Sequence, residues 1–283
     1  MTMTVHALMP VFNRLSMTKS AIDCLRRQEI DDRLIIIIVD DGSTDGTKEY
    51  LETQSDIIVL QGNGNLWWGG AIDLGLRYIL SGAADTDMVL LLNNDTIFDQ
   101  FFLQSLLTVA RCYSPAAVQA SVLAPFPPNE ILSVGPFVDP WRFRVVDALD
   151  WRPELLDNLK DVIEIDALSG RGVLYPVPAL RAIGGINRFL APHYFADYQL
   201  SIRVRRAGFR LYSALDCQVI SIDDFGNSLK PQKVLDRYFS VSSSAYLPAF
   251  LYFWWTASSL IQKISFPFGL VVYFLSKLVR VIA

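Results

Sequence analysis

Residues 34–39, Leu-Ile-Ile-Ile-Ile-Val, run without a polar side chain and stop on two adjacent carboxylates, Asp40 and Asp41. A continuous β-branched run suits a strand covered on both faces, as in a parallel sheet flanked by helices; a half-solvated strand would alternate. Val5–Met9, Ile57–Leu60 and Met88–Leu92 read the same way. Helical patterns follow these strands, through about Glu29 with Ser16 as a cap, from about Gly46, from Gly70 to Ser81, and from Asp99 to Cys112. After the Pro-rich stretch 125–128 the rhythm breaks into irregular short strands over 130–175, and a helix returns at about 197–207. This alternation predicts an α/β fold on a mainly parallel sheet. Such sheets bind ligands beyond the carboxyl ends of their strands. Two strands end in polar clusters, Asp40-Asp41 and Asn93-Asn94-Asp95, so both clusters are predicted to face one crevice.

Composition narrows the function. A net charge of −4 over 283 residues argues against nucleic acid as the main partner, because phosphate binding needs a cationic face. Hydrophobic residues at 52% exclude disorder. Cys24, Cys112 and Cys217 are too few and too scattered for a disulfide framework or a zinc ribbon. They are expected as buried thiols in a reducing cytosol. The first residues enter a strand directly, without the basic and long apolar regions of a signal peptide, so the body of the protein is expected to stay in the cytoplasm.

Both polar clusters carry two readings. In Asp40-Asp41-Gly42-Ser43-Thr44-Asp45, turn and cap preferences account for Ser43, Thr44 and Asp45. They do not account for side-by-side carboxylates, which repel unless a positive or hydrogen-bonding group intervenes. Asp95, beside Asn94, either starts a helix-initiating turn or supplies half a site for Mg²⁺ or Mn²⁺, completed by substrate phosphates. Gly62-Asn63-Gly64-Asn65-Leu66-Trp67 fails the dinucleotide fingerprint, because Trp67 stands where the third glycine belongs. What remains is a Gly/Asn loop carrying Trp67 and Trp68, which serve either to stack on a sugar or base or as a hydrophobic plug.

Taken in order, VDDGSTDGT, GNGNLWWGGA, LLLNNDT, DALSGRG (166–172) and PHYFADYQLSIR (192–203) resemble the inverting family 2 glycosyltransferases of the GT-A fold. They are most similar to the bacterial rhamnosyltransferase-like subgroup of surface-polysaccharide synthesis. The resemblance covers about residues 4–225. It implies a Rossmann-like GT-A sheet and a UDP- or dTDP-linked sugar donor held by Pro10, Asp41, Asn65, Trp68, Gly69, Asn94 and Asp95. Asp41 would be the nucleoside-binding acid and Asp95 the ligand of Mn²⁺ or Mg²⁺, as the one acid kept from an Asp-x-Asp motif. Gly170, Arg171 and His193 fall on the acceptor or phosphate side, with a structural salt bridge as the alternative for Arg171. The usual acidic pair before the catalytic helix is here Ala196-Asp197. The Gln-x-x-Arg-Trp motif of processive synthases is absent, which implies addition of one sugar or a few.

The same match makes Asp197 the general base. Inverting transfer needs one carboxylate to take the acceptor hydroxyl's proton. At a helix N-terminus the dipole would keep Asp197 ionised, although aspartate is also a favoured cap there. His6, inside an apolar strand, is expected as a satisfied core residue. Arg203, Arg205 and Arg206 are expected to form a solvated or phosphate-facing helix edge. A sugar-1-phosphate nucleotidyltransferase is the nearest enzymatic alternative, but the stretch after the first strand, Met9–Arg14, lacks the glycines of a phosphate loop. An inactive membrane-bound scaffold is the non-enzymatic one, suggested by the reduced Asn-Asn-Asp and Ala-Asp motifs.

Residues 245–283 hold no acidic residue, and their only charges are Lys263, Lys277 and Arg280. Pro248, Lys263 and Pro267 interrupt a run that would otherwise need about 20 apolar residues to span a bilayer. On a helical period, Gly269, Tyr273, Ser276, Lys277 and Arg280 share one face, and Phe268, Val271, Val272, Leu275 and Leu278 the other. The expected organisation is a GT-A domain over 1–235 and a membrane-associating or oligomerising helical segment over 236–283. The protein would lie peripherally on the inner face of the cell membrane or cover the apolar face with a second copy, and act on a glycan or lipid-linked acceptor.

Overall fold

In the computed structural model the described residues are 3–126, 129–154, 162–222 and 233–282, with the side chains of 234, 235 and 275–282 excluded. β1 (Thr4–Val11) leads to α1 (Leu15–Arg26), β2 (Arg33–Asp40) to α2 (Thr47–Glu52) and β3 (Ile57–Gln61) to α3 (Trp67–Leu80). β4 (Met88–Leu91) passes through the short β5 (Thr96–Ile97) into α4 (Phe102–Cys112). There follow β6 (Ala116–Leu123), β7 (Ile131–Ser133), the hairpin of β8 (Pro136–Asp139) and β9 (Arg144–Asp147), and α5 (Ala148–Trp151). Then come β10 (Val162–Glu164), β11 (Val173–Pro176), α6 (Val177–Ile183), α7 (Ala196–Arg206) and β12 (Arg210–Ser221). Three helices close the chain: α8 (Val234–Phe239), α9 (Leu247–Ala257) and α10 (Leu260–Ile282).

The main sheet has the order β10-β12-β6-β11-β4-β1-β2-β3. β3, β2, β1 and β4 are parallel, as are β6 and β12, whereas β11 runs against both β4 and β6. The mainly parallel α/β fold expected from the strand pattern is therefore present. The reason is visible along β2. Ile36 and Ile38 enter the core under α1 and α4, while Ile37 and Val39 enter the core under α3, α6 and α7. Alternate residues of one strand feed opposite cores, so no position can be polar until Asp40. Burying a side chain such as Ile37 contributes roughly 1.5–3 kcal/mol.

A third, aromatic cluster joins Phe143, Ile202, Phe250, Phe253, Trp254 and Phe266, and so seats α9 and α10 on α7 and the β8–β9 hairpin. Within α10 the expected polar face is partly the packed one. Gly269 lets the Phe143 ring approach its backbone, where a Cβ would stand only 3.0 Å away, and Tyr273 contacts Phe143 and Phe250. The apolar residues Leu260, Ile261, Ile264, Phe268, Val271 and Val272 are exposed instead. Lys277 and Arg280, the expected basic residues, have side chains outside the described set. Among the described residues no helix is long and apolar enough to cross a membrane.

His6 is buried and faces Asp87 at 3.4 Å, as a core histidine should. Cys24 and Cys217 are buried, but Cys112 is exposed at the end of α4, against the expectation of three buried thiols. The arginines of α7 are structural rather than phosphate-facing: Arg203 donates to the Gly185 and Ile183 carbonyls, Arg205 pairs with Asp166, and Arg206 donates to the Ser258 carbonyl.

Candidate active site

The crevice forms where β1, β2 and β4 end. Backbone bonds from Asp41 N–H to the Val11 carbonyl (2.8 Å) and from Gly62 N–H to the Asp40 carbonyl (2.7 Å) fix its floor, with Pro10 one residue before Val11. The adjacent carboxylates do not collide because each has its own donors. Asp40 Oδ1 accepts from the Ser43 N–H and hydroxyl. Asp41 Oδ1 accepts from Gly64 N–H at 2.8 Å, and its Oδ2 from the N–H groups of Leu66 (2.8 Å) and Trp67 (3.1 Å). Bonds of this charge-assisted kind contribute about 1.5–3 kcal/mol each. Asp41 therefore shapes the 62–67 loop and starts α3 three residues ahead of Gly70. It also holds Trp67 in the left-handed region at φ 55°, a costly conformation for a bulky residue.

The two tryptophans diverge rather than forming a paired platform. Trp68 Nε1 donates to Asn93 Oδ1 at 2.8 Å, tying the start of α3 to the end of β4. Its ring also packs on Gly170, where a Cβ would come within 2.5 Å. Trp67 is exposed and lies 5.5 Å from the His193 ring. Gly69 gives its N–H to the Pro192 carbonyl at 2.7 Å. It can do so only without a side chain, since a Cβ would sit 2.4 Å from the Ala191 oxygen. Asn65 is exposed on the same loop.

Of the Asn-Asn-Asp cluster, Asn94 is buried and donates to the Thr18 hydroxyl at 3.1 Å, bracing α1 rather than facing the crevice. Asp95 is only 5% exposed. Its Oδ1 has no hydrogen-bond partner among the described residues, and its Oδ2 lies 3.9 Å from both Arg14 and Arg171. A buried oxygen without a donor fits a hard cation. Among the described residues no group of three or more His, Cys, Asp or Glu could enclose one. Asp95 would supply one carboxylate ligand, with phosphate oxygens and water among the others.

Arg171 links this half of the site to the other. Its neighbour Gly170 donates its N–H to Asp197 Oδ2 at 3.0 Å, while Tyr198 N–H donates to Oδ1 at 2.8 Å. Asp197 lies in the first turn of α7, but the cap position belongs to Phe195 in the left-handed conformation. Burial pushes the Asp197 carboxyl above the usual range, and the opposing N–H groups of Tyr198 and Gly170 and the charge of Arg171 do not cancel it. The expected effect of the helix dipole is thus outweighed. Burial also pushes His193 down, leaving a neutral ring between Trp67 and Tyr194.

The structure thus brings Asp41, Trp68, Gly69, Asp95, Gly170, Arg171, His193 and Asp197 into one connected network. It leaves Asn94 behind the network and Asn65 at its edge. Sequence reasoning did not single out Arg14, whose position just beyond β1, opposite the Asp95 strand end, is the signal that could have found it.

An acid-lined crevice at the carboxyl edge of a mainly parallel sheet, with a second carboxylate on the helix opposite, defines a GT-A-like α/β fold. The sequence profile of Glycosyl transferase family 2 matches residues 7–150. This chain belongs to that family and carries a glycosyltransferase domain. No curated protein matches it. Among solved structures, GalNAc-T7 with UDP, GalNAc and Mn²⁺ is similar at a TM-score of 0.61 and 12% identity, over 78% of this chain and 44% of that one. TarS of S. aureus is similar at 0.57 and 13%, over 78% and 37%. TarS 1–349 in complex with UDP is similar at 0.56 and 15%, over 77% and 60%. The chain spans less than two thirds of each of these proteins, and at such identities the likeness is one of fold.

Proposed function

We propose that this protein is an inverting glycosyltransferase that moves a sugar from a UDP- or dTDP-linked donor to a hydroxyl of a lipid-linked or surface-polysaccharide acceptor. One observation carries the reading: Asp197 is bonded to Gly170, and Asp95 lies beside the adjacent Arg171. A proton acceptor and a cation-binding acid thus flank a single turn. The nucleoside lies against the Asp41-held loop, Trp68 and Gly69, and the diphosphate points toward Asp95.

Asp197 takes the proton of the acceptor hydroxyl as that oxygen bonds to the anomeric carbon. The bond from that carbon to the donor phosphate oxygen breaks on the opposite face, and its electron pair leaves with the nucleoside diphosphate. His193, neutral, and Trp67 line the acceptor side. Asp95 Oδ1 would hold Mn²⁺ or Mg²⁺, which when bound supplies charge stabilisation to the diphosphate. GNGNLWWGGA and LLLNNDT support the rhamnosyltransferase-like subgroup. The exposed apolar stripe of α10 supports peripheral attachment to the inner face of the cell membrane.

The test is transfer from a panel of UDP- and dTDP-sugars with Mn²⁺, with the anomeric configuration of the product read by NMR. Inversion that is lost in Asp197→Asn is the expected result. Retention of configuration, or full transfer by Asp197→Asn, overturns the assignment of the base.

A further inference from the structure

We infer that Gln119, inside the sheet on β6, is a positioning residue for the proposed base: it holds the segment before β11 so that the Gly170 N–H meets the Asp197 carboxylate. This inference rests on the reading of Asp197 given above. Backbone bonds anchor the segment on either side, from Ala167 N–H to the Pro136 carbonyl and from Gly172 N–H to the Leu91 carbonyl. Between these anchors three successive N–H groups go to side chains instead. Leu168 N–H donates to Ser201 Oγ at 2.9 Å, Ser169 N–H to Gln119 Oε1 at 2.9 Å, and Gly170 N–H to Asp197 Oδ2 at 3.0 Å. The outer two meet α7, where Asp197 and Ser201 stand four residues apart on one face. The middle one meets the sheet.

Every residue of β6 is buried, and a glutamine there costs free energy unless its amide is used. The amide is fixed from both ends. Oε1 takes the Ser169 N–H, which sets the end that faces the segment. Nε2, without an acceptor among the described residues, abuts Gly135, where a Cβ would stand only 2.6 Å away. Ser201 adds a tie to the helix, since its hydroxyl also donates to the Tyr198 carbonyl at 3.0 Å. Ties to α7 alone would let segment and helix shift together against the sheet, and the Gln119 bond stops that. It grips the residue next to Gly170, so it sets where the Gly170 donor stands, and that donor favours the ionised carboxylate. Arg171, in the same segment, also favours the ionised form, so displacing the segment acts in one direction. Tyr175 on β11 and Tyr198 on α7 are the other ionisable groups shown to interact with Asp197; burial pushes both up, and they stay neutral.

The experiment titrates Asp197 by NMR in the full chain carrying carbon-13 at its aspartate carboxyls, the Asp197 signal being the one absent from Asp197→Asn. Gln119→Met removes the acceptor at nearly constant volume. Gln119→Glu, neutral at this buried position, keeps Oε1. In Gln119→Met the Asp197 midpoint should rise by about half to one pH unit, a loss of about three- to tenfold in the ionised form on the acid side. Amide exchange at 168–170 should quicken with it, and Gln119→Glu should restore both. Ser201→Ala, which frees the Leu168 N–H, should also raise the midpoint and carries the test if Gln119→Met does not fold. A midpoint unmoved in Gln119→Met, or in Ser201→Ala where that variant carries the test, overturns the inference and leaves the base reading standing. Quickened exchange without a moved midpoint also overturns it, by making Gln119 a structural residue only. Failure of the base reading shows separately, as transfer that survives Asp197→Asn.

Discussion

Gly170 gives its backbone N–H to the Asp197 carboxylate at 3.0 Å, across 27 residues of sequence. The bond fixes the carboxylate against a residue whose missing side chain makes room for Trp68. The proposed base and the proposed donor loop therefore rest on the same glycine.

Asp197→Asn should lower turnover by at least about 10²-fold with little change in nucleotide affinity. The sign for stability is opposite to that of a salt-bridged acid. Because the folded-state value is raised, folding takes up a proton between the ordinary aspartate range and the raised one. Ionisation of Asp197 therefore costs stability as pH climbs through that window. Raising the pH through that window should lower the melting point of wild type more than that of Asp197→Asn, in which one of the two N–H groups lacks its acceptor at every pH. A markedly lower melting point with turnover intact would make Asp197 a helix-start residue only.

The same shift governs the rate profile. Transfer needs the ionised carboxylate, so kcat/KM should fall on the acid side at a pH above that of an ordinary aspartate. The limb should vanish in Asp197→Asn. An acid limb that persists unchanged in the variant would assign it to another group.

Asp41→Asn presents one oxygen and one NH₂ to three N–H donors. At least one of Gly64, Leu66 or Trp67 is left unpaired, at a cost of about 1–3 kcal/mol. Amide hydrogen exchange over residues 62–68 should accelerate and nucleoside binding weaken together. Unchanged exchange there would separate Asp41 from the loop.

Gly69→Ala puts a methyl group 2.4 Å from the Ala191 oxygen and 2.9 Å from the Pro192 oxygen. The backbone must separate, with a loss on the order of 1–3 kcal/mol, readable as a lower urea midpoint. Changed tryptophan fluorescence should accompany it, since Trp67 and His193 approach each other across this contact. A variant with the wild-type midpoint would show that the 191–193 segment yields freely.

Replacing Ile264 and Phe268 with glutamate should abolish co-sedimentation with anionic liposomes and leave nucleotide binding unchanged, because both side chains are exposed. Liposome binding that survives both substitutions would move the contact off α10. A stable dimer of wild type that the same substitutions dissolve would assign the face to a second copy.

The unbroken run of β2 shows both cores of the sheet in the sequence, because a strand feeding two cores leaves no choice at any position. The positions of Asp95 and Asp197 beside the crevice are legible because their motifs are local. The work of Asp41 is not, since its three donors lie 23 to 26 residues away and bind through backbone that any residue provides. Asn94 misleads for a related reason: its partner, Thr18, is 76 residues distant. In α10, Gly269 and Tyr273 pass as polar by residue type. They pack inward because a glycine admits the Phe143 ring and a tyrosine is mostly aromatic surface.

Helix α9 splints α7 at both ends, with Phe253 stacked on Phe195 at one and the Ser258 carbonyl held by Arg206 at the other. The chain turns at the extended Ser258 and then enters α10 with its exposed apolar stripe. A chain cut after Leu235 should keep its grip on nucleotide, which depends on the loops after β1 to β4, and lose turnover. A bilayer or second copy pressing on α10 would lean, through α9, on the helix that carries the proposed proton acceptor, so that detachment and idling would become one event.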